Sequence, residues 1–198
     1  NSDCTNGEWC MYGAFNNRSG YLNDESVIVN ISTSIVNTYN TTLNITSSPA
    51  VSGGYVYFGS QSNALYQVNA SNVSQYIANY TTGGDVDSSP AVANGSVYVG
   101  SDDGQLYQLN ASNVSQLLFN FTLGVTIESS PAVWNGSVYI WDEGLNGMLY
   151  QLNASNVSQL LGNFTTQAQD GDDCVSPSPT VGEGYVHLLS GADLMRFN

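Results

Sequence analysis

Lysine is absent from this 198-residue sequence, and Arg18 and Arg196 are its only strong cations. Against 16 Asp and Glu this leaves a net charge of -14. Binding to phosphate needs clustered Lys and Arg, so nucleic acid and anionic lipid are excluded as partners. Charged residues make up 9% of the chain, against about 25% in ordinary soluble domains. Ions therefore do not keep it dissolved, and the acids are too few for halophilic acidity. Long apolar runs are missing too: none approaches the roughly 20 residues needed to span a bilayer as a helix. The single histidine, His187, rules out a multi-histidine metal site. The chain opens at Asn1 with neither an initiator Met nor an apolar leader, so it reads as a processed form or an excerpt.

Asparagine is abundant where charge is scarce. Fifteen Asn-x-Ser/Thr acceptor sequons occur, at Asn17, Asn30, Asn40, Asn44, Asn69, Asn72, Asn79, Asn94, Asn110, Asn113, Asn120, Asn135, Asn153, Asn156 and Asn163. With 23 Asn and 39 Ser and Thr in the chain, chance placement would give about five. Duplication of one sequon inflates the count, but several distinct positions within each copy carry one. The expectation is real N-glycosylation, hence export through a glycosylating route and an extracellular or cell-surface location. Three cysteines, Cys4, Cys10 and Cys174, suit an oxidising compartment if two of them pair. Cys4 with Cys10 would close a local loop, whereas Cys10 with Cys174 would tie the N-terminal arm to the body. The odd thiol is either buried or available to join two subunits.

The strongest internal signal is repetition. Segments beginning SSPAV recur at Ser47, Ser88 and Ser129, and a worn copy, PSPTVGEGYVHLLSGADLMRFN, begins at Pro177. Pro49, Pro90, Pro131 and Pro179 are 41, 41 and 48 residues apart. The longer third interval holds a widened hairpin, EGLNG, and an acidic insertion, AQDGDDC. Each copy parses into four short strands separated by Asn-Gly, Asp-Asp-Gly and similar turn signals. Four strands in about 40 residues is the pattern of a propeller blade, a sheet that cannot bury both faces without neighbours.

The run S-P-A-V, an N-G turn, V-Y-V-G-S, D-D-G and L-Y-Q-L-N-A resembles the repeat of quinoprotein-like (PQQ-type) β-propellers, over roughly residues 47–198. That resemblance implies an all-β propeller and no particular activity, since the blade serves enzymes and scaffolds alike. One departure is visible. Where family repeats follow the third strand with a Gly turn and a docking Trp, this chain has N-A-S-N-V-S-Q leading to Tyr76, Leu117 and Leu160, and Trp9, Trp134 and Trp141 do not fill that slot.

The expected architecture is a small propeller of about four blades, each of four antiparallel strands. Residues 1–29 form an arm carrying Cys4 and Cys10, residues 30–46 a lone strand, 47–87 blade 1, 88–128 blade 2, 129–176 blade 3 with the acidic insertion, and 177–198 the first three strands of blade 4. Asn30 to Asn40 repeats the ten-residue interval of Asn69 to Asn79, so the lone strand is expected to complete blade 4, either in its own ring or in a neighbouring subunit. Trans completion would generate a head-to-tail polymer.

Chemistry is sparse. His187 occupies the repeat position of Tyr57, Tyr98 and Tyr139 and reads as packing. Asp170, Asp172 and Asp173 are weak calcium candidates, because they lack the alternating pattern of an EF-hand loop. A quinone-dependent oxidoreductase, the remotest alternative, would need a larger ring and cations near its cofactor. The expectation is a non-enzymatic structural subunit without cofactor other than covalent N-glycans, self-associating into a homopolymer. The alternative is a monomeric secreted binding or adhesion propeller.

Overall fold

A computed structural model describes residues 35–142, 144, 147–166, 177–190 and 193–197. Among these residues all regular structure is strand. Each blade begins with a three-residue strand that reverses through a tight turn with two positive φ angles: Gly53-Gly54 (56° and 82°), Asn94-Gly95 (50° and 75°), Asn135-Gly136 (46° and 78°) and Glu183-Gly184 (52° and 83°). These are type I′ turns, whose twist matches that of the flanking strands, which is why Asn and Gly recur there.

Blade 1 comprises β1 (Ala50–Ser52), β2 (Tyr55–Ser60), β3 (Ala64–Asn69) and β4 (Asn72–Thr81). Blade 2 comprises β5 (Ala91–Ala93), β6 (Ser96–Ser101), β7 (Gln105–Asn110) and β8 (Leu117–Thr122). Blade 3 comprises β9 (Ala132–Trp134), β10 (Ser137–Trp141), β11 (Met148–Asn153) and β12 (Asn156–Thr165). Each is a four-stranded antiparallel meander in sequence order. Blade 4 has three strands, β13 (Thr180–Gly182), β14 (Tyr185–Ser190) and β15 (Asp193–Phe197). The four strands of blades 1 to 3, the three of blade 4 and the four-blade arrangement agree with the sequence expectation, whereas residues 35–46 of the expected lone strand 30–46 form no strand.

The core lies between blades. Tyr57, Leu65 and Val86 pack with Val97, Val99 and Leu109 at the first junction. Tyr98, Leu106 and Ile127 pack with Val138, Ile140 and Leu152 at the second, and Ala132, Trp141 and Leu149 with Val181, Val186 and Leu188 at the third. Gly59 and Gly100 permit the close approach: a Cβ at Gly59 would lie 2.3 Å from the Val86 carbonyl oxygen, and one at Gly100 would lie 2.4 Å from Ile127 Cγ2. The third blade replaces this glycine with Trp141, which is buried and donates from Nε1 to Thr166 Oγ1 at 3.4 Å.

The repeated Ser-Ser-Pro acquires a purpose in three dimensions. The first serine anchors its own blade: the Gly59 N–H donates to Ser47 Oγ (2.7 Å), the Gly100 N–H to Ser88 Oγ (3.1 Å), and Ser129 Oγ to the Trp141 carbonyl (2.5 Å). The second serine links blades. The Ser48 N–H donates to Ser89 Oγ (2.8 Å), that of Ser89 to Ser130 Oγ (3.0 Å), and that of Ser130 to Ser178 Oγ (2.8 Å). This staircase climbs once per blade. Among the described residues no further step joins Ser178 back to Ser48.

Residues 35–46 form no ladder, yet their contacts repeat those of the segment 41 positions later. The Gln61 N–H donates to the Asn44 carbonyl (3.0 Å) just as the Asp102 N–H donates to that of Asp85 (2.9 Å). Tyr39 packs against Tyr66 at 5.8 Å between ring centres, as Tyr80 does against Tyr107 at 5.3 Å and Phe121 against Tyr150 at 6.0 Å. Thus 35–46 lie against blade 1 as the end of each fourth strand lies against the next blade. The aligned pair is Tyr39 with Tyr80, not Asn40 with Asn79 as the ten-residue interval suggested. An aromatic ring that must fill a junction fixes register more firmly than an exposed asparagine.

Candidate assembly edge

Among the described residues, the repeat symmetry breaks at the open side of blade 4. In blades 1 to 3 the third strand is covered by a fourth, whose ladder is bulged near its start. In blade 4, β15 pairs with β14 from Val186↔Phe197 to Ser190↔Asp193 and with no other described strand. Among the described residues its outer edge has no ladder partner, and such an edge is the template on which another strand adds.

Beside that edge, blades 3 and 4 part to form a cleft of about 740 Å³. It is lined by Tyr139, Leu149 and Gln151 from blade 3 and by Val186, Met195 and Phe197 from blade 4. Phe164 at its mouth is 52% exposed and meets Phe197 edge-on at 5.0 Å, whereas its counterpart Phe121 is largely covered. Apolar surface left at this junction is therefore surface buried at the two others.

The cation and the histidine of the described residues sit on the same sheet. His187 pairs across the ladder with Arg196, and the Arg196 guanidinium stacks over the Tyr185 ring at 4.4 Å. Tyr185 also meets His187 edge-on, at 6.4 Å. The chemistry of this group is aromatic and cationic packing on a sheet face.

A second concentration of charge, missed by sequence reading, lies at the junction of blades 1 and 2. Asp102, in the β6–β7 turn, has an Oδ1 that is buried without a hydrogen-bond partner. Its pKa is pushed up to about 6, first by burial and then by the charges of Asp87, Glu128, Asp85 and Asp103. Asp103 instead ties the turn together, accepting from the Tyr107 hydroxyl (2.6 Å) and the Gly83 N–H (2.7 Å). Burial and that aspartate raise the Tyr107 pKa. Burial and Asp142 likewise push Tyr150 up to about 12. No group of three or more metal-ligating side chains occurs among the described residues.

Of the sequon asparagines, Asn17 and Asn30 lie outside the described residues. The other thirteen are all at the surface, none of them buried. Asn69, Asn72, Asn110, Asn113, Asn153 and Asn156 each accept, through Oδ1, from both the N–H and the hydroxyl of the serine two residues on. These paired Asx turns account for N-A-S-N-V-S as turn chemistry. Asn79, Asn120 and Asn163 lie on the outer strands, Asn94 and Asn135 at the hairpin tips, and Asn40 and Asn44 in the segment against blade 1. Cys4, Cys10, Cys174, Asp170, Asp172 and Asp173 lie outside the described residues.

Comparison with known proteins agrees with this geometry. The family described as outer membrane protein assembly factor BamB matches residues 14–113 and, again, 74–195. The chain belongs to this family. Among solved structures, BamB from Moraxella catarrhalis superposes with a TM-score of 0.69 at 16% identity, over 83% of this chain and 53% of that one. The computationally designed Ika4 protein gives 0.65 at 15% identity, over 80% and 92%. Quinohemoprotein alcohol dehydrogenase from Comamonas testosteroni gives 0.55 at 20% identity, over 62% and 21%. No curated protein sequence matches. This BamB-family chain thus spans about a fifth of the dehydrogenase and about half of Moraxella BamB. At such identities the likeness is one of fold.

Proposed function

We propose that the chain is a non-enzymatic structural subunit that assembles head to tail, the N-terminal segment of one copy completing blade 4 of the next. One observation carries the reading: among the described residues, a segment seated on blade 1 like a fourth strand's end and a blade whose third strand has no fourth beside it lie far apart in the sequence. Residues 35–46 lie on blade 1 in the position of a fourth strand's end and are laddered to no described strand, while β15 has no fourth strand beside it among the described residues. The unclosed serine staircase supports the same reading. A heterologous contact of this kind repeats until it closes a ring or extends as a filament.

The sequons support an extracellular setting, because the outer strands that would carry Asn79, Asn120 and Asn163 are edges that a glycan would shield from unwanted pairing. Covalent N-glycans are the only non-protein component invoked. Solved structures of similar fold include a dehydrogenase, but the described residues offer one cation, Arg196, stacked on Tyr185, and the reading assigns no cofactor.

Native mass spectrometry of the full chain, before and after enzymatic removal of N-glycans, tests both parts together. A ladder of multimers and a mass loss corresponding to many sugars are the expected results. A single monomer peak at high concentration overturns the assembly. Deleting residues 1–34 should leave a folded, assembly-incompetent unit.

The second reading, a monomeric binding propeller, draws on one observation. Tyr39, Phe58, Tyr66 and Tyr76 cluster on blade 1, with Tyr76 half exposed and stacked on Tyr39 at 6.3 Å. An aromatic surface of that type suits sugar or peptide ligands.

A further inference from the structure

The outer strands β4, β8 and β12 contain no charged residue, and each exposes large apolar side chains beside a sequon asparagine that stands two residues before the strand's end. That asparagine pairs in each case with a tyrosine of the third strand: Asn79 with Tyr66, Asn120 with Tyr107 and Asn163 with Tyr150. Just before it the ladder is bulged, so that Val68 pairs with Tyr76, Leu109 with Leu117 and Leu152 with Leu160. Tyr66 and Val68 are two apart on one strand and share a face, so the extra residue on β4 brings Tyr76 onto the face of Asn79. In a regular strand a residue three positions earlier would point to the other side.

On blade 1 this register joins the two side chains. Tyr76 Oη donates to Asn79 Oδ1 at 2.8 Å, which engages the amide through its oxygen and not through the nitrogen to which a glycan is joined. One face of the Tyr76 ring stacks on Tyr39 at 6.3 Å between ring centres and 16° between planes. Tyr39 is itself backed by Phe58 and Tyr66, which stack on each other at 5.5 Å. Anchored at its hydroxyl and supported from one side, Tyr76 is still 49% exposed. The other two outer strands are built differently. Leu117 and Leu160 hold the position of Tyr76 and offer no flat ring, and at Asn120 it is Nδ2 that is engaged, donating to Gln105 Oε1. Ala64 stands in the place of Gln105 on blade 1 and can make no such bond.

We propose that the exposed face of Tyr76 is the seat of the first sugar ring of a glycan on Asn79, which makes that sugar a packed part of blade 1; this rests on the N-glycosylation reading above. A pyranose presents a face of C–H groups, and laying it on an aromatic ring removes apolar surface of both from water. The ring is bonded to the very amide that bears the sugar, so the two are neighbours from the start and little freedom is lost in bringing them together. Thr81, which completes the sequon, is exposed. With the seat filled, this part of the aromatic surface of blade 1 is covered by the chain's own carbohydrate and not by an external ligand.

The test is a double-mutant cycle on the full chain made in a secreting, glycosylating host. Glycopeptide mass spectrometry reads the occupancy of each sequon, and chemical denaturation reads the folding equilibrium of wild type, Thr81→Ala, Tyr76→Leu and the double variant. Tyr76→Leu introduces the residue type that β8 and β12 carry at this position, and the cycle cancels whatever packing on Tyr39 is lost with the ring. The expected result is an occupied Asn79 whose removal weakens folding about two- to tenfold more in the wild-type background than in the Tyr76→Leu chain, the coupling of a stacked ring pair. Tyr76→Phe, which keeps the ring, should keep most of that coupling, and Thr122→Ala and Thr165→Ala, which remove the sequons of Asn120 and Asn163, should each cost less than Thr81→Ala. An occupied Asn79 whose removal costs the same in both backgrounds overturns the seat and leaves N-glycosylation standing, as does an empty Asn79 among occupied sequons. If no sequon carries sugar, the glycosylation reading falls and the seat with it.

Discussion

The junction of blades 2 and 3 and the junction of blades 3 and 4 are built from the same repeat and end differently. At the first, Gln108 is almost wholly buried and makes bonds to Ser96, Ala154 and Val157. At the second, Gln151 donates to Ser137 and, among the described residues, makes no other side-chain bond and lines a cleft. Identical side chains are therefore sealed inside a junction in one place and line a cleft in the other. What distinguishes them is whether a fourth strand stands beside the next blade's third among the described residues.

The largest expected effect comes from the close approach that holds complete junctions together. Gly100→Val should destabilise the propeller by about 3 kcal/mol or more, because its Cβ would already overlap Ile127 and the junction has no slack. Trp141→Ala, at the repeat-equivalent position, should cost a similar amount, about 3 kcal/mol, for the opposite reason, a cavity left by a buried ring. Chemical denaturation with a common slope checks both.

Gln108→Ala should cost about 2 kcal/mol, since it strands the Val157 N–H in a buried corner. Gln151→Ala in the unassembled chain should cost under about 0.5 kcal/mol, as for a surface change. Equal losses at the two sites would erase the contrast between filled and open corners.

A smaller effect is expected in pH. Because the folded Asp102 carboxyl titrates near 6 and an unperturbed one near about 4, its ionisation opposes folding. Stability from this group should therefore rise as pH falls from 7 through 6 toward 4, and decline again as pH returns upward. Asp102→Asn should raise the melting temperature at pH 7.5 and flatten its change between pH 7.5 and 4.5. The smallest effect belongs to the hairpin tips: Gly95→Ala, at φ 75°, should cost about 1 kcal/mol or less.

Much of this was legible in the sequence. Strand order, blade boundaries and I′ turns follow from N-G, G-G and D-D-G punctuating β-rich runs, and the Pro register located each blade. The acids of Asp102's neighbourhood were not legible as a group, because Asp85, Asp87, Asp102 and Glu128 converge only when one blade's exit segment crosses the next blade's hairpin. The roles of Ser48, Ser89, Ser130 and Ser178 were equally hidden, since each bond spans a full repeat. Gln67, Gln108 and Gln151 repeat visibly, but a repeated glutamine reads as surface until the partner turn is placed.

The most direct measurement is hydrogen exchange at β15 across a dilution series of the full chain. If blade 4 is completed by a second copy, amides on the outer edge of residues 193–197 should exchange rapidly in the dilute monomer and become protected, with those of 28–41, as assembly proceeds. Protection that is already full in the dilute monomer, and does not change with concentration, would contradict it.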